Sequence, residues 1–407
     1  MMRLFLEEPF WRRRTVLFTF IGYFLSLFGT TFSQIAINLW VIQETGSAKL
    51  MATLMVSGMI IGVLFGSLGG TIADRFERQR IMWMADFAQF VLFATLAYLM
   101  WMKAPFAWIL LLNIISAFVG VFHGPAFQAA FTDIVGKSNI SKASGIITIL
   151  DNVARISGLA LGGVIVGLWN GSTAIAFDAI TYLICGLFIL MAGKFPIPEG
   201  KSEVRATFKK DYVDGFKRIW SDSFTKNILF VFPFLFMVFS SSFMLIQILI
   251  VREWKVTPFQ YGFIETAVPL GYIIGASLII WLDKRLKDKG KYIIWSMILT
   301  APIYVSLSFS NSIYAAFPHI LVIGFLFAFS TQFLFILMRT KVESVFQGRL
   351  FGIMGTLGGV APPAGIAISS FFADEYGASV VLLANGVFLL MLGFMAMFFF
   401  KALWRAE

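Results

Sequence analysis

Asp151 and Arg155, four residues apart in an otherwise apolar stretch, are the clearest pair in this chain able to do chemistry. On a helix they share one face and can neutralise each other. Such a pair can hold helices together. Alternatively Asp151 takes and releases protons while Arg155 tunes it, or Arg155 holds an anionic group of a ligand. Glu265, shortly before Pro269 and Gly271, is a second ionisable group in apolar surroundings. It either binds a proton or reaches an aqueous cavity. Asp178, in Phe177-Asp178-Ala179, is a third such group, and a helix-to-helix hydrogen bond is its simplest role. His123 is one of two histidines; it serves as a neutral hydrogen-bonded group or as a proton relay. No phosphate-cradling glycine loop, metal-ligand cluster or nucleophile–base set is present, so neither an enzyme nor a metal or cofactor is expected. The single Cys185 leaves no disulfide within the chain.

The elements that carry these groups follow from composition. Of 407 residues, 59% are hydrophobic and only 13% are charged. A chain of that kind is not an ordinary soluble protein. About 20 apolar residues cross a bilayer as a helix. The hydrophobic runs predict spans at Thr15–Gln43, Met51–Ile72, Ile81–Met102, Phe106–Ile134, Lys142–Trp169, Thr173–Gly193, Asn227–Val251, Tyr261–Leu282, Tyr292–Phe309, Ile313–Met338, Leu350–Ala373 and Ser379–Phe400. Arg12-Arg13-Arg14 precede a long apolar run with no small-residue cleavage site, so the first span is expected to be retained. The split between the ninth and tenth spans rests on Ser310-Asn311-Ser312.

Charge sets an orientation. Nearly all lysines and arginines fall on alternate connections, with Lys49, Lys103, Arg252 and Lys255 the exceptions outside the spans. The positive-inside rule then places both termini in the cytoplasm, and the net charge of +10 needs no nucleic-acid partner. Residues 1–193 and 227–407 are expected to form two bundles of six helices. They are joined by a cytoplasmic linker, 194–226, whose Phe208, Tyr212, Phe216, Ile219 and Trp220 predict an amphipathic helix on the headgroups. The halves repeat. Gly62, Gly66, Asp74 and Arg75 recur as Gly271, Gly275, Asp283 and Lys284, and Gly145, Ala154 and Gly158 as Gly352, Ala361 and Gly365. Two related bundles predict a substrate site between them.

The loop after the second span reads Gly70-x-x-Ala73-Asp74-Arg75-x-x-Arg78. It resembles the loop signature of the major facilitator superfamily, with Glu77 where a glycine and Gln79 where a basic residue is usual. The resemblance implies an all-α membrane protein of twelve helices in two pseudo-symmetric halves. Asp86 and Asp133 are then expected partners of the loop's charges in a latch with Gly70, Asp74, Arg75 and Arg78. Ala154-x-x-x-Gly158-Leu159-Ala160-Leu161-Gly162-Gly163 resembles the superfamily's fifth-helix antiporter motif and implies export. Physically, Gly158, Gly162 and Gly163 allow close packing and a pivot. Ser116 stands where many drug–proton antiporters carry a buried arginine. Phe122-His123-Gly124-Pro125-Ala126-Phe127 and Gln347-Gly348-Arg349 are similar to the macrolide-efflux-type branch. Pro362-Pro363 should break or bend the eleventh span.

The first and seventh helices of such a fold face the central axis. They bring Phe28, Phe32, Gln34 and Asn38, and Phe239, Phe243 and Gln247, to the expected cavity, with His123 as a further member. Aromatic walls with a few amides suit large amphipathic molecules and argue against sugars. The expectation is a monomeric, multi-pass exporter of lipophilic compounds in a bacterial inner membrane. It would work by alternating access and be coupled to proton influx. A lipid, lysolipid or siderophore transporter of the same fold is the alternative.

Overall fold

Inside a bilayer every backbone N–H and C=O must be satisfied within the protein, and a continuous helix does this with no partner strand. The long apolar runs accordingly fold as helices. The computed structural model describes residues 13–136, 139–195, 222–282, 285–310, 312–342 and 344–406, without the side chains of Thr132, Ser141 and 344–349. The helices are α1 (Arg14–Thr45), α2 (Ala48–Arg75), α3 (Arg78–Trp101), α4 (Phe106–Val135), α5 (Ile140–Leu168), α6 (Gly171–Met191), α7 (Ser223–Ile248), α8 (Pro258–Glu265), α9 (Ala267–Leu282), α10 (Lys289–Ser308), α11 (Ile313–Lys341), α12 (Ser344–Tyr376), α13 (Ala378–Phe399) and α14 (Lys401–Trp404). One π-helical turn, Leu249–Glu253, prolongs α7. Among the described residues, twelve spans are long and apolar enough to cross a membrane, with α8 and α9 sharing the eighth.

Two details differ from expectation. The eighth span is broken at Thr266. Pro269 accounts for it: its ring has no N–H to donate and crowds the carbonyl four residues back, which belongs to Glu265. Conversely, α12 continues as one helix through Pro362-Pro363; neighbouring groups in a membrane bundle re-satisfy the freed backbone. The division after the ninth span stands, since α10 ends at Ser308 and α11 begins at Ile313. Asn311, the linker residues 196–221 with their expected amphipathic helix, Asp283 and Lys284 lie outside the described residues.

Packing groups the chain into two units: Met1–Glu44, Ser57–Ser202 and Thr257–Phe263 in the first, and Thr45–Val56, Glu203–Val256 and Ile264–Glu407 in the second. Within the first, α3 packs on α6 and α4; within the second, α10 packs on α13, α9 on α11 and α7 on α12.

The same close approaches recur in each unit. Gly158 of α5 lies against Phe28 and Thr31 of α1, and its repeat Gly365 of α12 lies against Met237 of α7. Gly69 of α2 meets the Val121 carbonyl of α4, and Gly271 of α9 meets the Leu321 carbonyl of α11. The packing counterpart of Gly271 is therefore Gly69; Gly62 and Gly66 face open space. Large apolar side chains also point away from both bundles, Ile280 at 78% and Phe399 at 77% exposure among them. In water such surface would drive aggregation, whereas acyl chains accept it. The chain is a multi-pass membrane protein.

Candidate functional site

In the first unit the ionisable residues are distributed over several helices. Asp151 of α5 accepts a hydrogen bond from the Tyr23 hydroxyl of α1 at 2.7 Å. No ion pair joins it to Arg155 among the described residues, and Arg155 is exposed. The shared helix face is real, but a neighbouring helix supplies a nearer donor. Tyr23 lies flat on Phe127 of α4, with ring centroids 4.5 Å apart. Asp178 of α6 is fully buried and receives the Thr181 hydroxyl at 3.0 Å.

Asp86 departs from its expected place. It is buried in the bundle, where its Oδ1 lies 3.4 Å from His123 Nε2. The α3 register accounts for this: Gln79 and Met82 are on the same buried face, while Arg80 points outward. Next to the couple is a cavity of about 140 Å³ lined by Tyr23, Ser26, Thr30, His123, Cys185 and several apolar residues. Ser116 exchanges hydrogen bonds with Gln89: its hydroxyl donates to Gln89 Oε1 at 2.8 Å, and the Gln89 amide donates to the Ser116 carbonyl at 2.9 Å.

The charged loop resolves into one anchored arginine and several solvated neighbours. Arg78 forms a salt bridge with Asp133 of α4 and also donates to the Ala129 carbonyl. Asp74, Arg75 and Arg80 are exposed, and Gly70 has open space around it. Gln79, next to exposed Arg80, is 8% exposed. Its amide donates to the carbonyls of Ile189 and Gly193, both at 2.8 Å, and accepts from the Phe195 N–H. A neutral amide suits that site because it supplies donors and an acceptor together.

The small residues of α5 make the contacts that Cβ atoms would forbid. A methyl on Gly162 would stand 2.7 Å from Phe32 Cβ. One on Gly163 would stand 2.8 Å from the Gly262 Cα. Phe32 is consequently buried, as is Asn38, while Gln34 is exposed and Phe28 is half-buried. Of the expected cavity residues on α1, Phe28 and Gln34 are accessible and Phe32 and Asn38 are not.

In the second unit, Phe239, Phe243 and Gln247 fall at successive i,i+4 positions of α7. Phe239 stacks on Phe327 of α11 with centroids 3.6 Å apart and planes at 6°. Tyr272 and Gln332 close the same cluster, the Gln332 amide donating to the Tyr272 hydroxyl at 3.0 Å. At the end of that helix face, Gln247 Nε2 donates to Glu265 Oε2 at 3.1 Å. Glu265 is 5% exposed, enclosed beside the break between α8 and α9.

One site escapes a sequence search for ionisable groups within spans. Asp374, near the end of α12, accepts the backbone N–H groups of Ala48 and Lys49 and the Ser47 hydroxyl at 2.7, 3.0 and 2.9 Å. Arg252 stands 3.5 Å away. The available signal was Ser47 directly before an apolar run, a helix start whose donors need an acceptor. Among the described residues no group of three His, Cys, Asp or Glu could hold a metal ion.

The family described as "Transmembrane secretion effector" matches residues 9–406. Macrolide efflux protein A of Streptococcus pyogenes is 22% identical over 381 residues, covering 91% of this chain and 92% of that protein. The putative bacilysin exporter BacE of Bacillus amyloliquefaciens is 25% identical over 328 residues, 79% and 80% of the two chains. A crystal structure of a bacterial homologue of the human lysosomal transporter Spinster superposes with a TM-score of 0.77 at 14% identity, covering 98% of each chain.

Proposed function

The chain belongs to the transmembrane secretion effector family and has the twelve-helix major facilitator fold; from that premise we propose that it exports lipophilic or amphipathic small molecules by alternating access, in exchange for protons. It is a transport protein rather than an enzyme. The observation that carries the proposal is the single face of α7 on which Phe239 and Phe243 lead to Gln247 and its partner Glu265. Half-buried aromatic faces give an amphipathic molecule broad apolar contact, and a few amides orient it. A carboxylate at the end of that face is where proton binding and substrate binding can exclude one another. In the first unit Asp151, half-buried against Tyr23, is a carboxylate that can pass protons. Macrolide efflux protein A and BacE, both named for export, support the direction. The charge pattern supports cytoplasmic termini in a bacterial inner membrane. The arginine latch supports a gating role for Arg78 and Asp133.

Everted membrane vesicles containing the full chain test this, with ethidium and erythromycin as probes and respiration as the source of the proton gradient. Gradient-driven uptake that a protonophore abolishes is the expected result. Absence of such uptake for both probes, together with movement of a fluorescent lysolipid, would overturn it in favour of a lipid transporter.

A further inference from the structure

Asp86 is an enclosed carboxylate with an incomplete set of partners. It is 1% exposed, and its Oδ2 has no hydrogen-bond partner among the described residues. Its Oδ1 faces His123 Nε2 at 3.4 Å, and that nitrogen is likewise without a hydrogen bond. From α6, Cys185 and Tyr182 face the same carboxylate; neither is cationic. His123 of α4 is therefore the group placed to compensate its charge.

A carboxylate in such a place is costly when ionised beside a neutral imidazole. One added proton removes that cost. The couple passes from a net charge of minus one to zero, whether the proton rests on His123 as imidazolium or on Asp86 as the acid. No other atom is gained or lost.

A route to the couple is built from the same residues. The cavity of about 140 Å³ is lined by His123, Thr19, Ser26, Thr30 and Tyr23. It has room for several waters, each taking about 30 Å³ in the liquid, and hydroxyls to hold them. Tyr23, from α1, donates to Asp151 of α5 at 2.7 Å. Phe127, one turn along α4 from His123, stacks on the Tyr23 ring, and Tyr23 and His123 line the same cavity. Asp151 is half-exposed, with exposed Arg155 one turn on.

We propose that Asp86 and His123 form a proton-binding couple that exchanges its proton through cavity water, Tyr23 and Asp151. It rests on the proton-coupled reading above and names the acceptor within the first unit.

Infrared difference spectroscopy on the full-length protein in nanodiscs, with no substrate, tests it between about pH 5 and about pH 8, the range in which histidine titrates. The wild type should show an imidazole or carboxyl band that is lost in both Asp86→Asn and His123→Gln and kept in Glu265→Gln. Tyr23→Phe should reach the same end state, with proton uptake after a pH jump slowed several-fold. Unchanged spectra and proton uptake in folded, monodisperse Asp86→Asn and His123→Gln would overturn the proposal. Should Asp86→Asn fail to fold, His123→Gln decides alone, since that side chain is 24% exposed. Ethidium uptake into everted vesicles separates the two readings. A couple that titrates while uptake ignores the gradient overturns proton-driven export alone. Gradient-driven uptake with a couple that does not titrate overturns the couple alone.

Discussion

Asp374 caps the helix that begins at Ala48. Its carboxylate takes the Ala48 N–H at 2.7 Å and the Lys49 N–H at 3.0 Å, across 326 residues of sequence. The first turn of a helix has N–H groups without acceptors, and the positive end of its dipole faces the same way, so an anion there stabilises it. Arg252 at 3.5 Å keeps the anion in place. Asp374→Ala should cost about 1–2 kcal/mol of stability, the usual range for loss of a cap. Asp374→Asn should cost less, because the amide oxygen still accepts one bond. Thermal unfolding followed by tryptophan fluorescence in detergent checks the order; equal stability of Asp374→Ala and wild type would remove the cap as a structural element.

Gly163 and Gly70 are both small residues of family-like motifs, yet their surroundings differ. A Cβ on Gly163 would meet the Pro258 carbonyl at 2.5 Å and the Gly262 backbone at 2.8 Å, neither of which is a flexible side-chain end. Gly163→Ala should therefore destabilise by about 1–3 kcal/mol, the range for overpacking. Gly70 has nothing within 4 Å of the added atom and sits in α2. Gly70→Ala should be neutral or stabilising by up to about 1 kcal/mol through helix propensity. Unfolding temperatures of the two variants measured side by side check this, and the reverse order would show that the α5–α8 approach is loose.

Gln79 distinguishes an amide site from a basic one. Gln79→Leu removes the partner of the Ile189 carbonyl in a buried place and of the Gly193 carbonyl and Phe195 N–H at its part-buried edge. A loss of about 1–2 kcal/mol is expected, since an unpaired buried group costs on the order of 1 kcal/mol or more and one that water can reach costs less. Gln79→Arg should also destabilise, because a guanidinium has no acceptor for the Phe195 N–H and brings a charge into the bundle. Thermal unfolding is again the measurement, with Arg80→Gln, an exposed position, as the neutral comparison.

The spans were legible because a bilayer imposes its thickness on sequence as uninterrupted apolar runs. The repeat was legible at Gly158 and Gly365, where both copies need a residue without a side chain. It was misaligned at Gly62, because an open-facing glycine looks the same in sequence as a packed one. Partnerships were harder. Asp151 and Arg155 share a face, yet the donor came from Tyr23, 128 residues away. Asp86 is close in sequence to the charged loop, but helix rotation turns it towards His123. Periodicity gives the face of a helix; which neighbour occupies that face is a tertiary fact.

Glu265 offers a substitution that separates chemistry from packing. Glu265→Gln keeps an oxygen for the Gln247 amide, now bonded at 3.1 Å, and removes the titratable proton. Stability should hold within the range of a conservative change. Uptake of ethidium driven by a proton gradient should fall steeply, while exchange of labelled against unlabelled ethidium with no gradient persists in proteoliposomes. Glu265→Leu instead strands the Gln247 amide at a position 3% exposed. That variant should lose about 1–3 kcal/mol of stability from the unpaired donor, and with it both kinds of transport. Comparing the two matters, because loss of transport in the leucine variant alone would be explained by packing. Full gradient-driven uptake in the glutamine variant would mean that no proton needs to bind Glu265, and the coupling of the second unit would have to be sought on another residue.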